Sequence, residues 1–184
     1  MADSRTHHKL FADMAGVKID VGCGGTKQRG FIGIDRLKLP GVDIVHDIQR
    51  FPWPVPPNCA TTILMSHIWE HVEPKYRHRL MDECWRICRH DGQLLISAPY
   101  ATSFLAFAHP EHYTCPNEAT FQFYDPAYQL YYSGGYGKLR PWEIVRNEAN
   151  LGGCIEVILE PRKDKRGKIC LPKELVSATR RSPR

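Results

Sequence analysis

Two groups of residues in this chain have types and spacings suited to chemistry. The first is Asp20-Val21-Gly22-Cys23-Gly24-Gly25, followed by Asp35 and Asp47. Glycines permit a tight turn and let backbone approach a ligand closely. Amides exposed in such a loop can hold an anionic or polar group. Asp35, just past a β-rich run, is placed to accept hydrogen bonds from both ribose hydroxyls of a nucleoside. Asp47 could receive an adenine amino group. Loop, Asp35 and Asp47 in this order make a nucleoside-binding edge. The second group is His67, Glu70 and His71 in the run HIWEH, with His109 and His112 further on. Imidazole titrates near neutral pH. A positioned histidine or glutamate can therefore take a proton from an amine or hydroxyl.

The elements that must carry these groups follow from the pattern. VKIDV (17–21), FIGID (31–35) and the weaker VDIVHD (42–47) are β-rich runs, each ending where a chemical residue stands. FPWPVPPN (51–58) is too rich in proline for a helix or a central strand. TTILMS (61–66) predicts a fourth strand, and residues 74–90 a helix with Leu80, Cys84, Ile87 and Cys88 on one face. His90-Asp91-Gly92 would end that helix. QLLISA (93–98) reads as a strand buried on both faces. Further on, YQLYY (128–132) suggests a strand, Pro141–Asn150 a helix and CIEVILE (154–160) a last strand. Alternating apolar strands and connections predict an α/β fold with a mainly parallel sheet. Such sheets bind ligands at the carboxyl ends of their strands, where the residues singled out above lie.

Composition sets outer bounds. The chain has 184 residues, 42% of them apolar and 24% charged, which fits one globular domain. The net charge of +5 is unevenly placed. From Arg162 onward nine Lys/Arg face only Asp164 and Glu174, so the remainder is mildly acidic. This excludes a domain that grips nucleic acid with its whole surface. The expected organisation is a lead-in over 1–16, one domain over 17–161 and a basic, flexible tail over 162–184, with weak nucleic-acid contact through the tail left open. No run approaches the ~20 apolar residues of a membrane span. Seven cysteines, an odd number without a CxxC pair or a leader-like start, point to reduced thiols and a cytoplasmic location.

The order of motifs resembles class I S-adenosylmethionine-dependent methyltransferases, closest to the small bacterial and phage-type members of the methyltransferase type 11-like group. The resemblance rests on D-V-G-C-G-G, then I-G-I-D, S-H-I-W-E-H-V and L-L-I-S-A-P, with A-H-P-E-H-Y-T after them. It covers roughly residues 17–100 well and fades beyond about residue 126. It implies a Rossmann-like, seven-stranded, mainly parallel sheet with helices on both faces, and S-adenosyl-L-methionine as cofactor. Asp20, Gly22 and Gly24 would cradle the methionine part, with Cys23, Gly25 and Arg36 beside them. Asp35 would hold the ribose, Asp47 and Ile48 would frame the adenine, and Ser66 and His67 would line the floor near the sulfonium. Cys23 reads as a small residue that fits, not a nucleophile. One departure concerns the first crossover: only residues 22–30 separate the first two strands, where a parallel connection normally needs a dozen residues or more.

Methyl transfer from a sulfonium asks the protein to align an acceptor and exclude water. His67, Glu70, His71, His109 and His112 are the candidate bases, and structural roles stay open for each. The aromatic group Phe121, Phe123, Tyr124, Tyr128, Tyr131, Tyr132 and Tyr136 could pack as a core flank or wall an acceptor pocket. The acceptor is not named by the sequence; a small molecule, sugar or nucleotide is favoured. No metal is expected. His109-x2-His112-x2-Cys115 could supply three ligands but matches no standard zinc spacing, and His67-x3-His71 lacks the zinc-protease order. Two rivals remain: a catalytically inactive, ligand- or partner-binding relative, and an NAD-dependent oxidoreductase. The oxidoreductase reading is weakened by Lys27 at the third glycine of GxGxxG, and GxxxxGK[ST] is absent.

Overall fold

The structure is a computed structural model that describes Phe11, residues 16–133 and residues 139–171. Seven strands form one sheet: β1 (Val17–Val21), β2 (Ile32–Asp35), β3 (Ile44–Val45), β4 (Ala60–Ser66), β5 (Cys88–Pro99), β6 (Trp142–Ala149) and β7 (Cys154–Pro161). Their order is β3-β2-β1-β4-β5-β7-β6. β3, β2, β1, β4 and β5 run parallel, while β7 is antiparallel to both β5 and β6. The Rossmann-like, mainly parallel, seven-stranded sheet is thus the observed architecture. The order reverses between β1 and β4, so a crevice opens at the carboxyl ends of these strands.

The central strands are apolar because both faces are covered. Ile19, Val21, Ile34, Ile63, Met65, Leu94 and Ile96 are all buried. Each such side chain contributes roughly 1.5–3 kcal/mol by leaving water. β7 alternates instead, with Ile155, Val157 and Leu159 turned into the core. Helix α1 (Arg77–Ile87) connects β4 to β5 and buries Leu80, Met81, Cys84, Trp85 and Ile87. Three short helices follow β5: α2 (Phe104–Phe107), α3 (Glu118–Gln122) and α4 (Leu130–Ser133). Residues 22–59 contain no helix, so the helical layer expected on both faces is missing from the first three connections.

Several expectations from the pattern are corrected. The helix expected over 74–90 is a 3-10 turn (Pro74–Tyr76) followed by α1, and residues 88–92 already belong to β5. The cause lies at Gly92, where a Cβ would stand 2.7 Å from the Ala60 carbonyl. That close approach lets the chain run on as strand instead of turning. YQLYY enters a helical turn, α4, and residues 142–149 form strand β6 instead of a helix. β6 carries Ile144 and Val145 and zips onto β7, and pairing with a neighbour overrides local preference there.

Arg162 and Lys163, counted above with the basic tail, are folded onto the body. Arg162 pairs with Asp125 and Glu143 at 3.4 and 3.3 Å. Lys163 is buried, donates to Asn58 Oδ1 at 2.7 Å and lies 4.3 Å from the centre of the Trp85 ring. Lys163 and Ile169 then form an antiparallel bridge. The expected tail beyond 171, Tyr136 and nearly all of the expected lead-in lie outside the described residues. No helix among the described residues is long and apolar enough to cross a membrane.

Candidate active site

A cleft of about 760 Å³ opens at the carboxyl ends of β1, β2, β3 and β4. One wall is the nucleoside edge. Asp35 ends β2, and its two carboxylate oxygens accept the N–H of Gly24 at 2.9 Å and of Leu37 at 2.8 Å. Each oxygen keeps a second lone pair, so the carboxylate can still receive two hydroxyls. Asp47 is fixed by the Gln49 N–H at 3.0 Å and by Arg50 at 3.5 Å. Gly22, Arg36 and Ile48 line the same wall.

The glycine loop works differently from the expectation of exposed amides. The N–H groups of Gly22 and Cys23 donate to the Ile34 carbonyl at 2.7 and 3.2 Å, and that of Gly24 donates to Asp35. With no helix in the crossover, these amides are satisfied by β2. Gly22 instead contributes space. Its φ is +68°, and a Cβ there would stand 2.1 Å from Ile68 Cδ1. Asp20 is buried and accepts the Gln28 N–H at 2.8 Å, which braces the loop from below. Cys23 packs under Gly33, and burial raises its thiol pKa to about 11, so it stays protonated at neutral pH. Gly25 is exposed, and neither it nor Ser66 lines the cleft. Asp43 was missed by the sequence reading. It accepts the Gly33 N–H at 2.8 Å and Lys27 Nζ at 2.6 Å, closing the crossover from the other side.

The opposite wall is made of histidines. β4 ends at Ser66, and His67 turns the chain with φ +55°. Its N–H donates to the Ser97 carbonyl at 2.8 Å, and its ring faces the cleft. The 3-10 turn Trp69–His71 then drops Glu70 into the interior and points His71 at the cleft. Glu70 is fully buried and neither carboxylate oxygen accepts a hydrogen bond; His67 Nδ1 lies 3.4 Å from Oε1. Burial holds the His71 pKa below the ordinary imidazole range, against the pull of Glu70.

His109 and His112 reach the cleft from the segment after α2. The Tyr113 N–H donates to the Glu70 carbonyl at 2.9 Å. Arg77 clamps both segments, donating to the Val72 carbonyl at 3.2 Å and to the Thr114 carbonyl at 3.0 Å, and also to the Thr114 hydroxyl. The rings of His71, His109 and His112 therefore meet, with centroids 4.8–5.3 Å apart. Cys115 lies beside His112 instead of joining this group, its Sγ 3.8 Å from His112 Nδ1. Among the aromatic residues singled out above, Phe121 and Tyr124 pack on Trp69 in the core. The aromatic side chain that lines the cleft is Tyr113. Gln49 and Glu73 also line it and were not anticipated; nothing in their spacing marks them, and only the fold brings them together.

Residues 19–96 match the family model described as methyltransferase domain. Over this segment the chain is similar to methyltransferase domains. Solved structures extend the likeness at the level of fold. An S-adenosylmethionine-dependent methyltransferase from Archaeoglobus fulgidus superposes with a TM-score of 0.54 at 16% identity, covering 85% of this chain and 91% of that one. A protein from Pyrococcus horikoshii OT3 gives 0.56 at 12%, covering 85% and 89%. The N-methyltransferase NodS from Bradyrhizobium japonicum WM9 gives 0.53 at 9%, covering 86% and 92%. Comparison with curated protein sequences finds no match. The cofactor expected from this similarity is S-adenosyl-L-methionine, and the cleft presents groups suited to a nucleoside. Asp35 keeps free lone pairs there, and Gly22 lets the backbone pass close to Ile68 with a positive φ.

Proposed function

We propose that this domain binds S-adenosylmethionine along the Gly22–Asp35–Asp47 edge and methylates a small molecule, sugar or nucleotide held at the histidine wall. The observation that carries this reading is that both walls line one cleft. A volume near 760 Å³ suits small ligands. The cofactor supplies an electrophilic methyl on a sulfonium. Asp35 holds the ribose by charge-assisted hydrogen bonds, and Asp47 and Ile48 flank the base. Ile68 and Val72 provide apolar surface that excludes water.

His67 is the base this reading assigns. Its ring stands in the cleft, and Nδ1 lies 3.4 Å from the buried Glu70 carboxylate. The buried Glu70 carboxylate accepts no hydrogen bond, so its oxygens are available to receive a ring N–H when His67 takes the acceptor's proton. A panel of sugars, nucleotides and small hydroxylated molecules tests this through formation of S-adenosylhomocysteine. At least one class should give acceptor-dependent product. His67→Ala should lower that turnover about 10²–10⁴-fold while leaving affinity for S-adenosylhomocysteine near parental. Full turnover in the variant would remove His67 from the mechanism.

A further inference from the structure

We propose that His71, His109 and His112 form a binding site for a divalent ion of the zinc class on the acceptor side of the cleft. The role given to the ion rests on the methyl-transfer reading; its binding does not. One nitrogen from each ring lies within 4.8 Å of the other two. Three imidazoles on one zinc, at about 2.0–2.1 Å each, bring their nitrogens to about 3.3 Å apart. Small ring rotations close that difference.

The rings come from two chain segments that the backbone holds together. The Tyr113 N–H to Glu70 carbonyl bond joins the residues next to His71 and His112. Arg77 ties the same two segments a few residues further on. Outer contacts orient the rings as metal ligands require, by engaging one ring nitrogen and freeing the other. His112 Nδ1 sits 3.1 Å from the Ala106 carbonyl, an acceptor, so Nδ1 carries the proton and Nε2 the lone pair. The His71 ring is hydrogen-bonded to the Glu111 backbone. His109 is the exposed member, and its Nδ1 accepts the Glu111 N–H at 3.2 Å, a surface contact that an ion can replace.

A second observation points to a cation independently of the ring positions. The Glu70 carboxylate is fully buried and accepts no hydrogen bond, its one ion-pair contact among the described residues being His67 at 3.4 Å, and it adjoins His71. Removing one partner of a buried charge pair costs several kcal/mol. A divalent ion on His71 supplies positive charge beside that anion. Neutral imidazole suits zinc, copper, iron and nickel over magnesium or calcium. Three protein ligands also leave a position open toward the cleft, as in catalytic zinc sites.

An acceptor hydroxyl would suit that open position. The ion would supply Lewis acidity to its O–H, and His67, which lines the same cleft, would take the proton. The oxygen lone pair then forms the new C–O bond to the methyl carbon. The C–S bond breaks with its electrons kept by sulfur, which leaves neutral S-adenosylhomocysteine, and His67 returns its proton to water. The inference therefore narrows the acceptor to a hydroxyl compound.

The test titrates chelator-dialysed full-length protein with Co²⁺ and Zn²⁺ by calorimetry and visible absorption, alongside S-adenosylhomocysteine. One equivalent of Co²⁺ should bind without a thiolate charge-transfer band. His109→Gln and His112→Gln should each weaken it at least about tenfold, and His90→Gln should not. His109 is exposed, so its variant should keep the parental circular dichroism even if His112→Gln does not. Failure to bind either ion more tightly than about 100 µM, or one-equivalent binding unchanged by both variants, would overturn the site. Metal binding without S-adenosylhomocysteine binding would keep the site and overturn the methyl-transfer reading.

Discussion

Asp35 Oδ2 accepts the Gly24 N–H at 2.9 Å, so the glycine loop and the end of β2 form one rigid edge. The same carboxylate takes the Leu37 N–H on its other oxygen. A side chain held from two sides loses little further entropy when it binds a ribose. Asp35→Ala should therefore abolish measurable nucleoside binding, because charged hydrogen bonds contribute about 1.5–3 kcal/mol each. Asp35→Asn should fall between the two. Calorimetry on both variants, with circular dichroism to confirm folding, checks this; parental affinity in a folded Asp35→Ala would refute the assignment.

Much of this edge was legible in the sequence because it is local. VKIDV and FIGID are strands at nearly the positions their residue types suggest, and the chemical residues follow directly from strand ends. The members of the histidine trio were legible as candidates, but their meeting was not. His71 is separated from His109 by β5 and α2, and only the Tyr113–Glu70 and Arg77 contacts bring them together. The loop amides were misjudged for a related reason. Their partner, the Ile34 carbonyl, depends on a helix-free crossover whose hydrogen bonds no spacing reveals. Residues 142–149 were misjudged because pairing with β7, not local propensity, decides their form.

Gly22 tests the space requirement. Gly22→Ala places a methyl 2.1 Å from Ile68 Cδ1 at φ +68°. The left-handed backbone alone costs about 1–2 kcal/mol in a residue with a side chain. The melting temperature should drop by several degrees and nucleoside affinity should fall. Adding Ile68→Ala should restore part of the affinity by clearing the contact, although Ile68→Ala carries its own loss of packing. A Gly22→Ala variant with parental stability and affinity would contradict the close approach.

Lys163 gives a pH signature. Burial lowers its pKa to about 8 from an unfolded value of 10.5. Between these values the unfolded chain holds a proton that the folded chain has released, so stability from this group rises with pH. Below about pH 8 both states are charged and the desolvation penalty is fully present. The stability of the parent relative to Lys163→Met should rise by on the order of 2 kcal/mol between pH 7.5 and 10. Denaturant melts across that range read it directly; a pH-independent difference would contradict it.

The thiols separate by environment. Burial raises Cys23 and Cys59 to about 11 and Cys88 to about 12, whereas Cys170 is exposed. The thiolate is the reactive form. Iodoacetamide at pH 8 should modify Cys170 first and leave Cys23 untouched until the protein unfolds, as mapped by peptide mass spectrometry. Labelling of Cys23 as fast as Cys170 would show a reactive thiol at the cleft and reopen its role.

The most direct test of the central claim is calorimetric titration of the purified protein with S-adenosylmethionine, S-adenosylhomocysteine and NAD in parallel. The account predicts saturable binding of both sulfur nucleosides at one site, lost in Asp35→Ala, with NAD silent. Binding of NAD alone, or of none of the three by a folded protein, would contradict it.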